Sequence, residues 1–363
     1  MRILITGNMG YVGPIVVAHL RAIFPEADLI GYDTALFAAQ IITNEPLPER
    51  HLSRQVFGDV RDFPPALLED VDAVIHLSAI SNDPMGNRFE AATESINYAA
   101  SVRLAEAAQA AGVPSFVFAS SCSVYGAADG PPRRERDPLN PLTAYARSKI
   151  GTEEALMQLA AGDMTITCLR FATACGMSPR LRLDLVLNDF VAAALTSGEV
   201  KVLSDGTPWR PLIDVADMAR AFEWAIGRDA AAGGRFLTIN TGADRQNYQV
   251  FELAEAVAHA IPGTTVSINR EAPPDRRSYK VDFSLYRELA PAHQPNISLA
   301  ASVSQLYAGL RGARVLSADF RHSDAMRLHT LERHIEARRL GLDIRWADAP
   351  KATDGDDPPV TVG

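Results

Sequence analysis

Short apolar runs alternate with longer amphipathic stretches through the first half of the chain. The runs at 2–6, 29–33, 55–59, 73–78, 115–120 and 165–171 have strand length and are rich in Ile, Val, Leu and Phe. Runs of this kind, apolar at nearly every position, predict strands buried on both faces. Between them, 10–24, 94–111 and 144–161 carry helical spacing, and the second of these stops at Gly112 with Pro114 beyond. Strands alternating with helices predict βαβ units in a parallel sheet. After Cys175 the pattern loosens. Helices are expected over 183–195, 214–226 and 249–260, strands over 200–203, 236–240 and 265–268, and mostly helix over 302–340. The residues 271–277 form a Pro/Arg-rich loop, and 349–363, rich in Asp, Pro and Gly, lack periodicity and are expected to be disordered. The fold class expected is α/β, a doubly wound parallel sheet with a smaller C-terminal α/β domain. Residues 1–175 would form the first domain, with 205–245 returning to it; 176–204 and 246–348 would form the second.

A length of 363 residues suits one large domain plus a smaller one. The formal charge of −9 argues against a general nucleic-acid surface but leaves room for a local anion pocket. Cys122, Cys168 and Cys175 match neither a disulfide framework nor a zinc pattern, and no cluster has metal-ligand spacing. Reduced thiols, no leader and no membrane-spanning run give a cytoplasmic expectation.

Chemistry enters at the first strand–helix turn. Thr6-Gly7-Asn8-Met9-Gly10-Tyr11-Val12-Gly13 places glycines where a backbone turns tightly and approaches a pyrophosphate. The helix N-terminus that follows offers N–H groups and a positive dipole end. Pro14 fits the first helical turn. Asp33, at the end of the second predicted strand, suits the hydroxyls of an adenosine ribose and would repel a 2′-phosphate. With no Arg or Lys from 34 to 40, NAD is favoured over NADP. Asp59, followed by Val60, suits the adenine amino group.

Tyr145 and Lys149 stand four apart in a predicted helix, on one face. An ammonium beside a phenol lowers its pKa towards the range where a phenolate acts as base.

Together with His76-Leu77-Ser78-Ala79, Asn97, Ser120-Ser121-Cys122-Ser123-Val124-Tyr125-Gly126, and Arg210 ahead of Asp214-Val215-Ala216-Asp217, these motifs resemble the extended short-chain dehydrogenase/reductase family, its nucleotide-sugar epimerase and dehydratase group. The resemblance runs from residue 1 to about 310. It implies a Rossmann-like NAD domain and a substrate-binding domain. It also implies Tyr145 as base, Lys149 as nicotinamide-ribose ligand and tuner of the phenol, and Ser121 as hydrogen-bond partner of the reacting oxygen. Cofactor contacts are implied along 7–13, at Asp33, Asp59, Val60, Leu77, Ser78, Ala79 and Asn97, and substrate contacts at Ser81, Ser121, Cys122 and Ser123. A homodimer through 94–111 and 144–161 is implied as well.

Cys122 and Ser123 occupy the place of the Asp-Glu pair of 4,6-dehydratases, and neither is a carboxyl acid, which disfavours dehydration. Cys122 reads better as a small buried residue than as a thiol catalyst. Thr173 stands where an Asn of the family often meets the diphosphate. Arg180, Arg182 and Asn188 are either replacement donors to phosphates or a carboxylated sugar, or, for the arginines, solvated loop residues. Arg210, and Arg276 or Arg277, are further candidate anion ligands. His76 reads as a hydrogen-bonded strand-end residue. The expected function is NAD-dependent epimerisation of a nucleoside-diphosphate sugar through a 4-keto intermediate. Its rivals are a 4-keto-sugar reductase, a 4,6-dehydratase and a non-catalytic NAD sensor.

Overall fold

A computed structural model describes residues 1–347, apart from 43–45, 129, 161, 273–276, 312, 314, 315 and 318. The expected tail 349–363 and the candidate Arg276 therefore lie outside the described residues.

Seven parallel strands form the central sheet: β1 (Arg2–Thr6), β2 (Asp28–Asp33), β3 (Arg54–Phe57), β4 (Ala73–His76), β5 (Ser115–Ser121), β6 (Thr165–Phe171) and the late strand Phe236–Thr241. In space β1 is flanked by β2 and then β3 on one side, and by β4, β5, β6 and Phe236–Thr241 on the other. The order reverses between β1 and β4, so their carboxyl ends open the crevice where ligands bind in doubly wound sheets.

Alternation along the strands divides the core in two. Ile3, Ile5, Ile75 and Val117 pack into one cluster, whereas Leu4, Val74, Phe116 and Phe118 pack into another. Both faces are apolar, so helices must cover both. Gly13–Ile23 and Val215–Ile226 cover the first face, and Ser101–Ala110 and Ala144–Leu159 cover the second.

Most predicted elements appear within a few residues of their expected bounds. The first helix starts at Gly13 rather than residue 10, because 7–12 form a turn closed by Gly10 N–H donating to the Gly7 carbonyl at 3.1 Å. The segment 94–111 is not uniform. It opens as a π-helical stretch, Glu94–Ala100, preceded by short helices Asp83–Arg88 and Glu90–Thr93. The Asn97 carbonyl there accepts from the hydroxyls of Ser101 at 2.7 Å and Thr152 at 3.0 Å. Such a wide turn is invisible to a 3.6-residue pattern.

Beyond the main sheet, the strands expected over 200–203 and 265–268 form, as Glu199–Val202 and Thr265–Ile268, and pair with each other, whereas three further short strands had no sequence signal. Those three, Thr173–Cys175, Trp209–Asp214 and Asn247–Gln249, form a three-stranded sheet. In the last region, expected to be mostly helix, helices Leu299–Arg311 and Arg327–Glu336 are separated by a stretch whose described residues include the short helical turn Phe320–His322.

Candidate active site

The carboxyl ends of β1, β4 and β5 open onto a cavity of about 1070 Å³. That volume is at the upper end of ligand pockets, which run to about 1,000 Å³. Its floor at one end is the glycine turn. Gly7 has φ +74°, and a Cβ there would stand 2.6 Å from the Ser78 nitrogen, so only glycine lets the turn press against the loop after β4. Gly10, Tyr11, Val12 and Gly13 line the same wall.

Asn8 and Met9 do not line it. Asn8 is buried beneath the turn with its amide donating to Gln55 at 2.6 Å, and Met9 contributes its backbone N–H to Asp33 at 3.0 Å. The other Asp33 oxygen accepts from Ala35 N–H at 2.7 Å, and the carboxylate reaches the cavity. Burial raises its pKa, against those backbone donors and the nearby Arg180 and Arg327. Asp59 and Val60 line the same end. Despite burial, bonds from Arg61, its side chain at 2.9 Å and its backbone N–H at 2.8 Å, hold the Asp59 carboxyl below its usual range.

Leu77, Ser78, Ala79 and Ser81 carry the wall towards the other end. Asn97 is fully buried behind them, clasping Ile80 through both backbone groups at 2.8 and 2.9 Å. It shapes the loop and does not face the cavity. His76 is likewise internal, bonded to Thr6 at 2.6 Å and Ser101 at 2.7 Å. Since Ser101 spends its proton on the Asn97 carbonyl, His76 donates through Nε2 and accepts at Nδ1. Burial pushes its pKa down to about 3, so the ring is neutral.

Ser121, Tyr145 and Lys149 meet at the far end of the cavity. Ser121 closes β5, its Oγ accepts from Ser123 N–H at 3.1 Å, and its hydroxyl lies close enough to the Tyr145 phenol to favour the ionised form. Thr143 caps the helix that carries the pair, accepting from Ala146 N–H at 3.2 Å. Lys149 is 2% exposed; its Nζ donates to the Ala119 carbonyl at 2.7 Å and lies 4.4 Å from the Phe118 ring centre.

One expectation is reversed in the free protein. Burial raises Tyr145 to about 12, against the pull of Ser121. Burial also lowers Lys149 to about 7, although Glu153 opposes the shift. The ammonium is turned towards the Ala119 carbonyl, 5.6 Å from the tyrosine ring centre, and desolvation is the largest influence on both groups.

Among the substrate candidates, Ser123, Thr173, Arg182 and Arg210 line the cavity. Ser123 Oγ is buried with no hydrogen-bond partner among the described residues. Arg182 forks onto Asp184 at 2.9 and 3.1 Å and donates to Ser81 Oγ at 2.8 Å. Arg210 donates to the Trp209 carbonyl at 2.9 Å. Cys122, Arg180 and Asn188 are not on the wall. Cys122 is fully buried, its thiol bonded to the Arg170 carbonyl and pushed up by burial. Arg180 is paired with Glu49 at 2.6 Å, and Asn188 bridges Gly176, Tyr11 and Arg182. The loop arginines are thus neither solvated nor both ligands.

Arg277, the alternative to Arg276, is on the wall, and sequence reasoning missed Asp83, Tyr279, Phe37 and Arg327, which are there too. Asp83 accepts from Thr143 at 2.7 Å and Arg277 at 3.0 Å. Its only early signal was Asn82-Asp83-Pro84, a helix-start pattern that the structure uses, with Asn82 capping Met85 at 2.8 Å.

The model of the NAD dependent epimerase/dehydratase family matches residues 3–242. The chain belongs to that family. A UDP-glucose 4-epimerase of Mycolicibacterium smegmatis is 28% identical over 319 residues, 84% of this chain and 97% of that protein. A dTDP-glucose 4,6-dehydratase of Streptomyces griseus is 28% identical over 309 residues, 83% of this chain and 93% of that one. The solved UDP-glucose 4-epimerase of Stenotrophomonas maltophila, with NAD and formylated UDP-arabinopyranose bound, superposes with a TM-score of 0.72 at 26% identity, covering 86% of this chain and 98% of that one. The family is NAD-dependent, and the residues present fit the dinucleotide: a turn at Gly7 that only glycine can make, with Gly10 and Gly13 lining the cavity beside it, a carboxylate at Asp33, and a buried lysine beside a tyrosine.

Proposed function

We propose that this enzyme epimerises a nucleoside-diphosphate sugar at one carbon through a transient 4-keto sugar, with NAD retained between turnovers. Residues 1–175 and 205–245 would hold NAD, and 176–204 and 246–348 the nucleotide sugar. Gly7, Gly10, Tyr11, Val12 and Gly13 would face the pyrophosphate, and Asp33 the adenosine ribose. Asp59, Val60, Leu77, Ser78 and Ala79 would line the dinucleotide, with Asn8, Met9 and Asn97 supporting that wall from behind. Lys149 would bind the nicotinamide ribose, and Ser81, Ser123, Thr173, Arg182 and Arg210 the nucleotide sugar.

The observation that carries this reading is the meeting of Ser121 and Tyr145 beside Lys149 on one cavity wall. NAD⁺, when bound, supplies the hydride acceptor and a positive ring near the phenol. Tyr145 takes the proton of the sugar hydroxyl, and Ser121 holds the same oxygen as charge develops on it. With the phenol at about 12 in the free protein, that positive charge has to favour its ionisation. Tyr145 then returns the proton after the ketone has presented its other face. Cys122, buried and bonded to a carbonyl, and Ser123 offer no carboxyl acid for water elimination. A homodimer is proposed too, supported by Met157, 49% exposed on the outer side of Ala144–Leu159. Sedimentation at the monomer mass would remove that part.

The test is Tyr145→Phe. General acid–base catalysis contributes about 10²–10⁴-fold, so turnover of a UDP-hexose should fall by at least about a hundredfold with KM nearly unchanged. Turnover within a few-fold of the parent protein would refute the assignment.

A further inference from the structure

The family match ends at residue 242, yet the cavity is completed by residues far beyond it, among them Arg321, Arg327, Leu331 and Ile344. This C-terminal stretch is tied to both sides of the opening. Trp346 Nε1 donates to the Thr34 carbonyl at 2.6 Å, next to Asp33, and Arg61 donates to the carbonyls of Asp343 and Ile344 at 2.7 and 3.1 Å. Opposite, Arg321 forks onto Asp189 at 2.9 and 2.7 Å, and Leu183 N–H donates to the Ala325 carbonyl at 3.1 Å. Leu331, Leu340 and Ile344 sink into the second core cluster.

Arg327 is the misfit in this otherwise satisfied strap. It is 2% exposed, its guanidinium lies 4.1 Å from the Phe37 ring centre, and its Nη2 donates to the Arg180 carbonyl at 2.9 Å. Its Nη1 is buried with no hydrogen-bond partner among the described residues. The carboxylates nearby are engaged elsewhere: Asp184 with Arg182, and Asp33 with the N–H groups of Met9 and Ala35. Burial, with Arg182 and Arg180 adding repulsion, brings its pKa down to about 9. A buried cation with an unmet donor is costly, and an anion supplied from outside would complete it.

Its place says which anion. Arg327 stacks on Phe37, four residues past Asp33 at the proposed adenosine-ribose end, and bonds the carbonyl of Arg180, two residues before the Arg182 that lines the cavity with Tyr145. The linking pyrophosphate of a dinucleotide falls between those two ends. We infer that Arg327 is a ligand to that pyrophosphate, so that a side chain outside the family match grips the cofactor together with the glycine turn. This deepens the proposed function and rests on its NAD-binding half alone.

The test is calorimetric titration of the full-length protein, freed of any co-purifying dinucleotide, with NAD, ADP and adenosine. A charge-assisted hydrogen bond to phosphate is strong enough that Arg327→Met should weaken NAD and ADP by about tenfold or more. Adenosine, which lacks phosphate, should bind as before, and Arg327→Lys should recover part of the loss. The ligand-free Arg327→Met protein should melt no lower than the parent, since an unmet buried charge has been removed. Equal loss for adenosine and ADP would overturn the inference, as would unchanged ADP affinity in Arg327→Met or, should that variant not fold, in Arg327→Lys. Failure here leaves the Tyr145 result standing. Failure of Tyr145→Phe to lose turnover leaves the binding result standing.

Discussion

Lys149 shows how spacing can place a residue while its surroundings set its charge. Its spacing from Tyr145 places both on one helix face, but the burial that lowers the lysine to about 7 is a tertiary effect. The sign of the consequence is definite. Between pH 7 and the lysine's ordinary value near 10.5, the unfolded chain binds a proton that the folded ligand-free protein does not. Stability from this group therefore rises with pH across that window. Denaturation of the ligand-free protein should show the parent gaining on Lys149→Met as pH is raised from 7 towards 10. A constant difference between the two would show that the buried ammonium is not perturbed. Arg180 illustrates the opposite limit. Nothing in Arg180-Leu181-Arg182 separates the arginine that pairs with Glu49 from the one that faces the cavity. Only Glu49, far away in sequence, decides it.

Elements built from local periodicity were legible and those built from distant partners were not. The six early strands and their helices announce themselves because apolar runs bounded by turn residues need no outside information. Thr173–Cys175 and Asn247–Gln249 are three-residue strands that exist because Trp209–Asp214 lies between them, so no window of sequence contains their cause. The helix Arg327–Glu336 is amphipathic in sequence, but its destination was not readable. It docks on the Rossmann side through Leu331, 1% exposed, within the cluster that holds Leu4, Ile30 and Val74. Leu331→Ala should therefore cost about 2–4 kcal/mol in urea unfolding. A change under about 0.5 kcal/mol, the range of an ordinary surface substitution, would mean the strap is only loosely held.

At the scale of the whole molecule, the crevice between β1 and β4 brings a glycine turn near residue 7, an acid at 33 and a Ser/Tyr/Lys group between 121 and 149 into one cavity. The described helices include none long and apolar enough to cross a membrane. A large cavity closed on one side by the C-terminal strap suits the proposed enzyme, which would keep its dinucleotide while exchanging sugar nucleotides. The most direct measurement is to mix the purified protein, with no cofactor added, with UDP-glucose and related nucleotide sugars, following products by chromatography and nicotinamide by absorbance. The account predicts interconversion of two epimers with bound NAD reduced only transiently and recovered oxidised. Stoichiometric consumption of added NADH with a 4-keto sugar, and no interconversion without it, would contradict it.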